Sequence, residues 1–94
     1  MASSKDYLEY VLELLRNLDS ITYKKMMGEY LLYQDGVLFG GIYDDRFLIK
    51  VTKSNNSLQL EVPYDGAKSM YLVDSDNPNE IEVLVNNVVK DLRG

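Results

Sequence analysis

Asp35-Gly36 constrains the fold of this chain more than any other pair of residues. It separates two strand-forming runs, Tyr30 to Gln34 and Val37 to Tyr43. A two-residue hairpin of the type I′ kind needs positive φ at both central positions, which Asp and Gly tolerate. The two runs should therefore pair antiparallel, with Gln34 opposite Val37, Leu32 opposite Phe39, Leu31 opposite Gly40 and Tyr30 opposite Gly41. Asp44-Asp45 is a weaker signal for the next turn, setting Tyr43 opposite Arg46 and Ile42 opposite Phe47. A leading strand is expected from Thr22 to Met27, set off at Gly28, and a later one from Ser69 to Val73 after a turn at Pro63-Tyr64-Asp65-Gly66. Ser54-Asn55-Asn56-Ser57 is turn-like, and Leu58 to Val62 fits helix or strand equally well. The sum is an antiparallel sheet of about five strands.

Alternation along the strands assigns two faces. One gathers Leu31, Tyr33, Leu38, Gly40, Ile42, Phe47, Ile49 and Val51, and is the expected core face. The other gathers Tyr30, Leu32, Phe39, Gly41, Tyr43 and Leu48, with Gln34, Arg46 and Lys50 around them. Two adjacent glycines inside one strand imply close approach by something on each side.

Amphipathic helices bracket the strands. Ser3 or Ser4 can cap the first, with Asp6 completing an S-x-x-D box from Ser3. Tyr7, Leu8, Val11, Leu12, Leu15 and Leu18 then recur at helical spacing, and the helix should end near Leu18, before Asp19-Ser20. In the second, Asn77 suits the N-cap, Pro78 the first helical position and Glu80 the return contact of the box. Ile81, Leu84, Val85, Val88, Val89 and Leu92 form its apolar stripe, and Lys90 and Arg93 lie in the last turn, where the helix dipole favours cations. Both helices are expected to cover the core face. The fold class is α+β in two layers, one domain over residues 1–94, with helices at both ends of an antiparallel sheet.

Composition narrows the chemistry. The chain has no cysteine and no histidine, which removes thiolate and imidazole ligands, disulfides and most nucleophilic triads. No metal or cofactor site is expected. Asp44-Asp45 and Asp74-Ser75-Asp76-Asn77 read as turn and cap residues rather than ligands, since the second run lacks the glycine and terminal glutamate of a calcium loop. A net charge of −5, with the ten cations scattered, sets direct DNA binding aside as an expectation. No apolar run reaches the roughly 18 residues of a membrane span, and a cytoplasmic protein is expected.

The run Met26-Met27-Gly28-Glu29-Tyr30-Leu31-Leu32-Tyr33-Gln34-Asp35-Gly36 resembles the TfoX N-terminal domain family. That family usually reads Met-Phe-Gly-Gly-Tyr-Gly-Leu-Tyr, followed by Asp-Gly or similar and a strand containing Phe. Met26, Gly28, Tyr30, Leu32, Tyr33, Gly36 and Phe39 match, whereas Met27 and Glu29 depart from it. The pattern continues in Asp45-Arg46, Leu48 with Lys50, Met70-Tyr71 and the C-terminal helix. The resemblance implies a two-layer α+β fold with an antiparallel sheet and a link to TfoX/Sxy proteins, which activate competence genes in certain bacteria. Full-length regulators of that kind carry a second, helical domain; a stand-alone domain is the expectation for these residues.

No catalytic constellation is expected, and the function expected is that of a regulatory or accessory protein-interaction module. The rival is a small acidic adaptor, chaperone-like, that binds an extended client segment. With both helices committed to one face, Tyr30, Leu32, Phe39, Gly41, Tyr43 and Leu48 should form an exposed apolar patch, which marks an interaction surface. Pairing of two such faces would give a homodimer.

Overall fold

Three two-residue turns in succession lay out the sheet. Met27-Gly28, Asp35-Gly36 and Asp44-Asp45 hold positive φ at both positions: 53° and 85°, 50° and 81°, 54° and 54°. This type I′ geometry matches the twist of the flanking strands. The turns join β1 (Ile21–Met26), β2 (Glu29–Gln34), β3 (Val37–Ile42) and β4 (Phe47–Ile49). Across Asp44-Asp45 the flanking residues exchange both backbone hydrogen bonds, Tyr43 N to Arg46 O at 2.9 Å and Arg46 N to Tyr43 O at 3.0 Å.

The computed structural model describes residues 3–53 and 59–94. The turn expected at Ser54 to Ser57, and Leu58 at the head of the ambiguous segment, lie outside the described residues. The remainder of that segment holds a strand, β5 (Leu60–Glu61), followed by β6 (Met70–Leu72). The sheet has six strands in the order β1-β2-β3-β4-β6-β5, with antiparallel neighbours throughout. With α1 (Lys5–Leu14) and α2 (Pro78–Arg93) packed on it, the architecture is α+β, as expected.

One extra residue changes the faces. Gln34 pairs with Val37 as the turn dictates, but Leu32 pairs with Gly40, Leu31 with Gly41 and Tyr30 with Ile42, because the register shifts between Leu32 and Tyr33. Phe39 is the residue left over: a β-bulge, in which two residues of one strand oppose one of its partner. Shifting pairing by one residue transfers a strand's whole side-chain set to the other face. The expected faces are thus half right. Gly40, Ile42, Phe47 and Ile49 are on the core side, but Tyr30, Leu32 and Phe39 join them there in place of Leu31, Tyr33 and Leu38, and Val51 is half exposed at the opposite face.

The glycines accommodate neighbours in the sheet, not a helix. A Cβ on Gly40 would strike the Leu48 carbonyl oxygen and lie 3.0 Å from Ile49 Cα, both on adjoining β4.

Each helix is capped by a variation on the expected box. Ser4, not Ser3, caps α1: its Oγ accepts from Tyr7 N at 3.1 Å. The Ser4 N–H, which a carboxylate one turn ahead would accept, is taken instead by Asp45 Oδ1 at 2.8 Å, from the β3–β4 turn. At α2, Asn77 Oδ1 accepts from Asn79 N at 2.9 Å. Glu80 does not reach the cap directly. Ser75 Oγ accepts from Asn77 N and donates to Glu80 Oε2, so a hydroxyl relays the contact. α1 ends at Leu14, four residues before Leu18, in a tightening turn where Leu18 N donates to Leu15 O at 3.0 Å. Leu18 still packs on the core.

That core joins Leu8, Val11, Leu14 and Leu15 of the first helical segment to Ile81, Val85, Val88 and Val89 of α2, over Tyr30, Leu32, Phe39, Ile42, Phe47, Ile49, Tyr71 and Val73. Each fully buried Leu, Ile, Val or Phe contributes about 1.5–3 kcal/mol, so these helices are held by docking more than by propensity. Leu92, expected in the α2 stripe, is exposed.

Candidate functional site

The structure does not bring Tyr30, Leu32, Phe39, Gly41, Tyr43 and Leu48 together as an exposed patch. Tyr30, Leu32 and Phe39 are core residues, 6%, 0% and 0% exposed, under the helices. Gly41, Tyr43 and Leu48 do lie on the other face, but Leu48 and Gly41 are buried and Tyr43 is half-buried. The bulge at Phe39 is the physical reason.

The second face has a cover of its own, clasped by Arg46. Its Nε donates to Tyr43 O at 3.1 Å, Nη1 meets Glu61 Oε1 at 3.0 Å, and Nη2 donates to the carbonyls of Val62 and Pro63 at 3.2 and 3.3 Å. This fork ties the β3–β4 turn to the chain leaving β5, the rigid multidentate use to which guanidinium is suited. Pro63 is buried, and the Tyr64 ring tilts against Tyr43 with centroids 6.0 Å apart. Tyr43 in turn lies over Gly41, where a Cβ would come within 2.8 Å of its ring and 2.6 Å of Tyr30 O. Burial, then Tyr64, pushes the Tyr43 phenol above its ordinary pKa.

The cover stops short of β1 and β2. Between them runs a groove of about 610 Å³, floored by Leu31, Leu38 and the backbone of Gly40, walled by Met26, Tyr43, Tyr64 and Met70, and flanked by Lys50 and Lys68. Lys24, paired with Leu31 on the adjoining strand, extends the same face. Its outer border is β1, which among the described residues pairs on one side only. Asp35 N donates to Ser20 O at 2.9 Å, which sets the phase of the ladder. Thr22, Lys24 and Met26 then bond to β2, while the N–H and C=O groups of Ile21, Tyr23 and Lys25 point away from it. Tyr23 and Met26 are about half exposed and Met27, in the turn, is 96% exposed.

Sequence reasoning missed a second polar constellation. Glu29 Oε1 accepts from Ser3 N at 2.8 Å and from Ser3 Oγ at 2.7 Å, its Oε2 accepts from Asp44 N at 3.0 Å, and Asp45 N donates to Ser3 Oγ at 3.1 Å. A carboxylate thus knots the N-terminal segment to the β3–β4 turn. It gives Glu29, where the family pattern has glycine, a structural task, and it uses Asp44-Asp45 as turn and cap. Among the described residues no group of three or more His, Cys, Asp or Glu side chains is placed to hold a metal ion. A smaller cavity of about 420 Å³, lined by residues including Asp19, Gln34, Asn86, Val89 and Lys90, is flanked by the exposed Arg93–Asp35 ion pair at 3.0 Å. Among the described residues no helix is long and apolar enough to cross a membrane.

One antiparallel sheet, with both helices on one face and a lysine-flanked apolar groove on the other, defines a small α+β domain of the two-layer class. The chain belongs to the TfoX N-terminal domain family, whose sequence pattern matches residues 13–80. A comparison with curated proteins gives no match. The structure accounts for the Met-x-Gly-x-Tyr run: Met26 walls the groove, Gly28 supplies a φ of 85° in the turn, and Tyr30 enters the core.

Proposed function

We propose that the protein is a non-enzymatic, cytoplasmic regulatory module that acts by binding another protein, in keeping with the link between its family and competence regulation. The second-face groove carries this reading. Its floor is Leu31, Leu38 and the Gly40 backbone, its walls are methionine and tyrosine, and it lies beside the edge strand β1. Methionine side chains repack around varied apolar partners, and tyrosine supplies contact area at small entropic cost. The adaptor reading, in which the occupant is an extended client segment, is favoured by one feature, the edge of β1, which is unpaired among the described residues.

Photo-crosslinking in the native cell tests the module. A benzophenone side chain at Leu38 or Met70, in the groove, should yield one defined protein adduct. The same group at Val83, exposed on α2, should not. Identical adduct patterns from all three positions, or none, would remove the groove as an interaction site.

A further inference from the structure

The free edge of this acidic protein is basic. Carboxylates outnumber cations by 15 to 10 over the chain, yet β1 reads Ile-Thr-Tyr-Lys-Lys-Met, with two adjacent lysines and no acid. Neither Lys24 nor Lys25 is ion-paired among the described residues. Their register puts Lys24 on the groove face, beside Leu31, and Lys25 on the helix face, beside Tyr30. Each is flanked by a half-exposed apolar neighbour, Met26 on the groove face and Tyr23 on the helix face. β1 is six residues long, whereas β5 at the opposite edge has two.

We propose that β1 docks an extended acidic segment of another protein, which adds to the sheet as a further strand. The inference rests on the protein-binding reading in its adaptor form, with an extended segment as occupant, and names the partner's chemistry. Backbone groups of Ile21, Tyr23 and Lys25 supply the ladder, as in other strand additions. Side chains supply the selectivity. Along Met26-Lys25-Lys24-Tyr23 an incoming strand meets apolar, basic, basic and apolar groups, alternately on opposite faces. The matching segment is apolar-acid-acid-apolar: each carboxylate meets one lysine, one apolar residue enters the groove beside Met26, and the other lies on Tyr23. The order is the same in both directions, so a parallel and an antiparallel strand are read alike. A second copy of this chain is a poor occupant. Its one adjacent acidic pair, Asp44-Asp45, is held in a turn, and β1 against itself gathers lysines.

The test uses the full chain and a fluorescein-labelled peptide centred on Val-Glu-Glu-Val, with binding followed by anisotropy. The peptide should bind, and more weakly as salt rises. The double substitution Lys24→Glu and Lys25→Glu should leave the melt unchanged, since both side chains are exposed, and weaken binding about tenfold by turning two attractive contacts repulsive. N-methylation of alternate peptide amides should abolish binding in one phase and spare it in the other. Equal affinity for a Val-Lys-Lys-Val peptide, or binding indifferent to the lysines, would overturn the proposal. So would self-association of the double variant with peptide binding unchanged, which would make the lysines edge guards alone. Salt-steep retention of duplex DNA through these lysines, with no peptide binding, would overturn it in favour of phosphate recognition. If the peptide fails while Leu38 and Met70 still crosslink a protein, the edge is wrong and the groove stands; if both fail, the module reading falls too.

Discussion

The two faces of this sheet are both rich in large apolar side chains, but they are closed by different means. On one, α1 and α2 lay stripes of leucine, isoleucine and valine against Leu32, Phe39, Phe47 and Ile49, and exclude water from them. On the other, a short segment is held down by the fork of Arg46 and by Tyr64 against Tyr43. Leu31 and Leu38 are left at the floor of an open groove. Apolar content does not tell the faces apart; the length and chemistry of what lies over them does. A helix stripe closes a surface several strands wide. A short loop pinned by a few contacts closes only what lies beneath it.

Two neighbouring leucines put that contrast to its hardest test. Leu32 is fully buried beneath the helices and Leu31 is a partly exposed groove residue. Leu32→Glu should cost at least about 3 kcal/mol, because an unpaired carboxylate replaces a packed side chain. Leu31→Glu should cost about 1 kcal/mol or less. Urea melts of the two variants measure the difference directly. A stable, folded Leu32→Glu protein would mean that the faces are inverted and that this position belongs to an interface, as the uncorrected hairpin register implies.

Gly40→Ala comes next. The added methyl meets backbone of β4, which cannot rotate away as a flexible side chain can. A loss of about 1–3 kcal/mol is expected from the forced strand shift. A melt equal to wild type would show that β3 and β4 are further apart at the bulge than their pairing indicates.

Strand order at the centre of the sheet was legible because turn chemistry is local. Asp35-Gly36 and Asp44-Asp45 announce their hairpins within four residues, and the pairs nearest each turn, Gln34 with Val37 and Tyr43 with Arg46, are those expected. The bulge was harder. Its signal was present, since a glycine inside a strand often marks one, but Gly40-Gly41 admits close approach from either face as readily as an extra residue. Register beyond Leu32 depends on whether Phe39 is buried better with or without that slip, and only the packed core decides this. The candidate patch failed at the same point: three of its six members, Tyr30, Leu32 and Phe39, changed sides. The groove could not be read at all. It is bounded by Pro63, Tyr64 and Met70, whose position depends on long-range contacts of Arg46 with the chain at Glu61 to Pro63. The knot of Ser3 with Glu29 is equally non-local, 26 residues apart in sequence.

The smallest expected effect concerns the Arg46 clasp on the second face. Gln59 Nε2 donates to Glu61 Oε2 at 2.7 Å and Arg46 Nη1 to Oε1 at 3.0 Å, and these bonds, that of Gln59 foremost, hold the Glu61 carboxyl below its ordinary pKa. The folded pKa is therefore lower than the unfolded one. The stability this provides is complete above the unfolded value and disappears as pH falls through the folded value. Other carboxylates also respond to acid, so the difference between two proteins isolates the clasp. Wild type should lose Tm between about pH 5 and about pH 3 slightly more steeply than Glu61→Gln, with the curves parallel above that range. The slope difference should shrink when Arg46 is replaced by Ala in both backgrounds, yet persist in part, because Gln59 remains. Equal slopes for wild type and Glu61→Gln would show that Glu61 gains nothing from folding. The cover would then be held by the Arg46 bonds to the Val62 and Pro63 carbonyls and by the two tyrosine rings, contacts that do not titrate in acid.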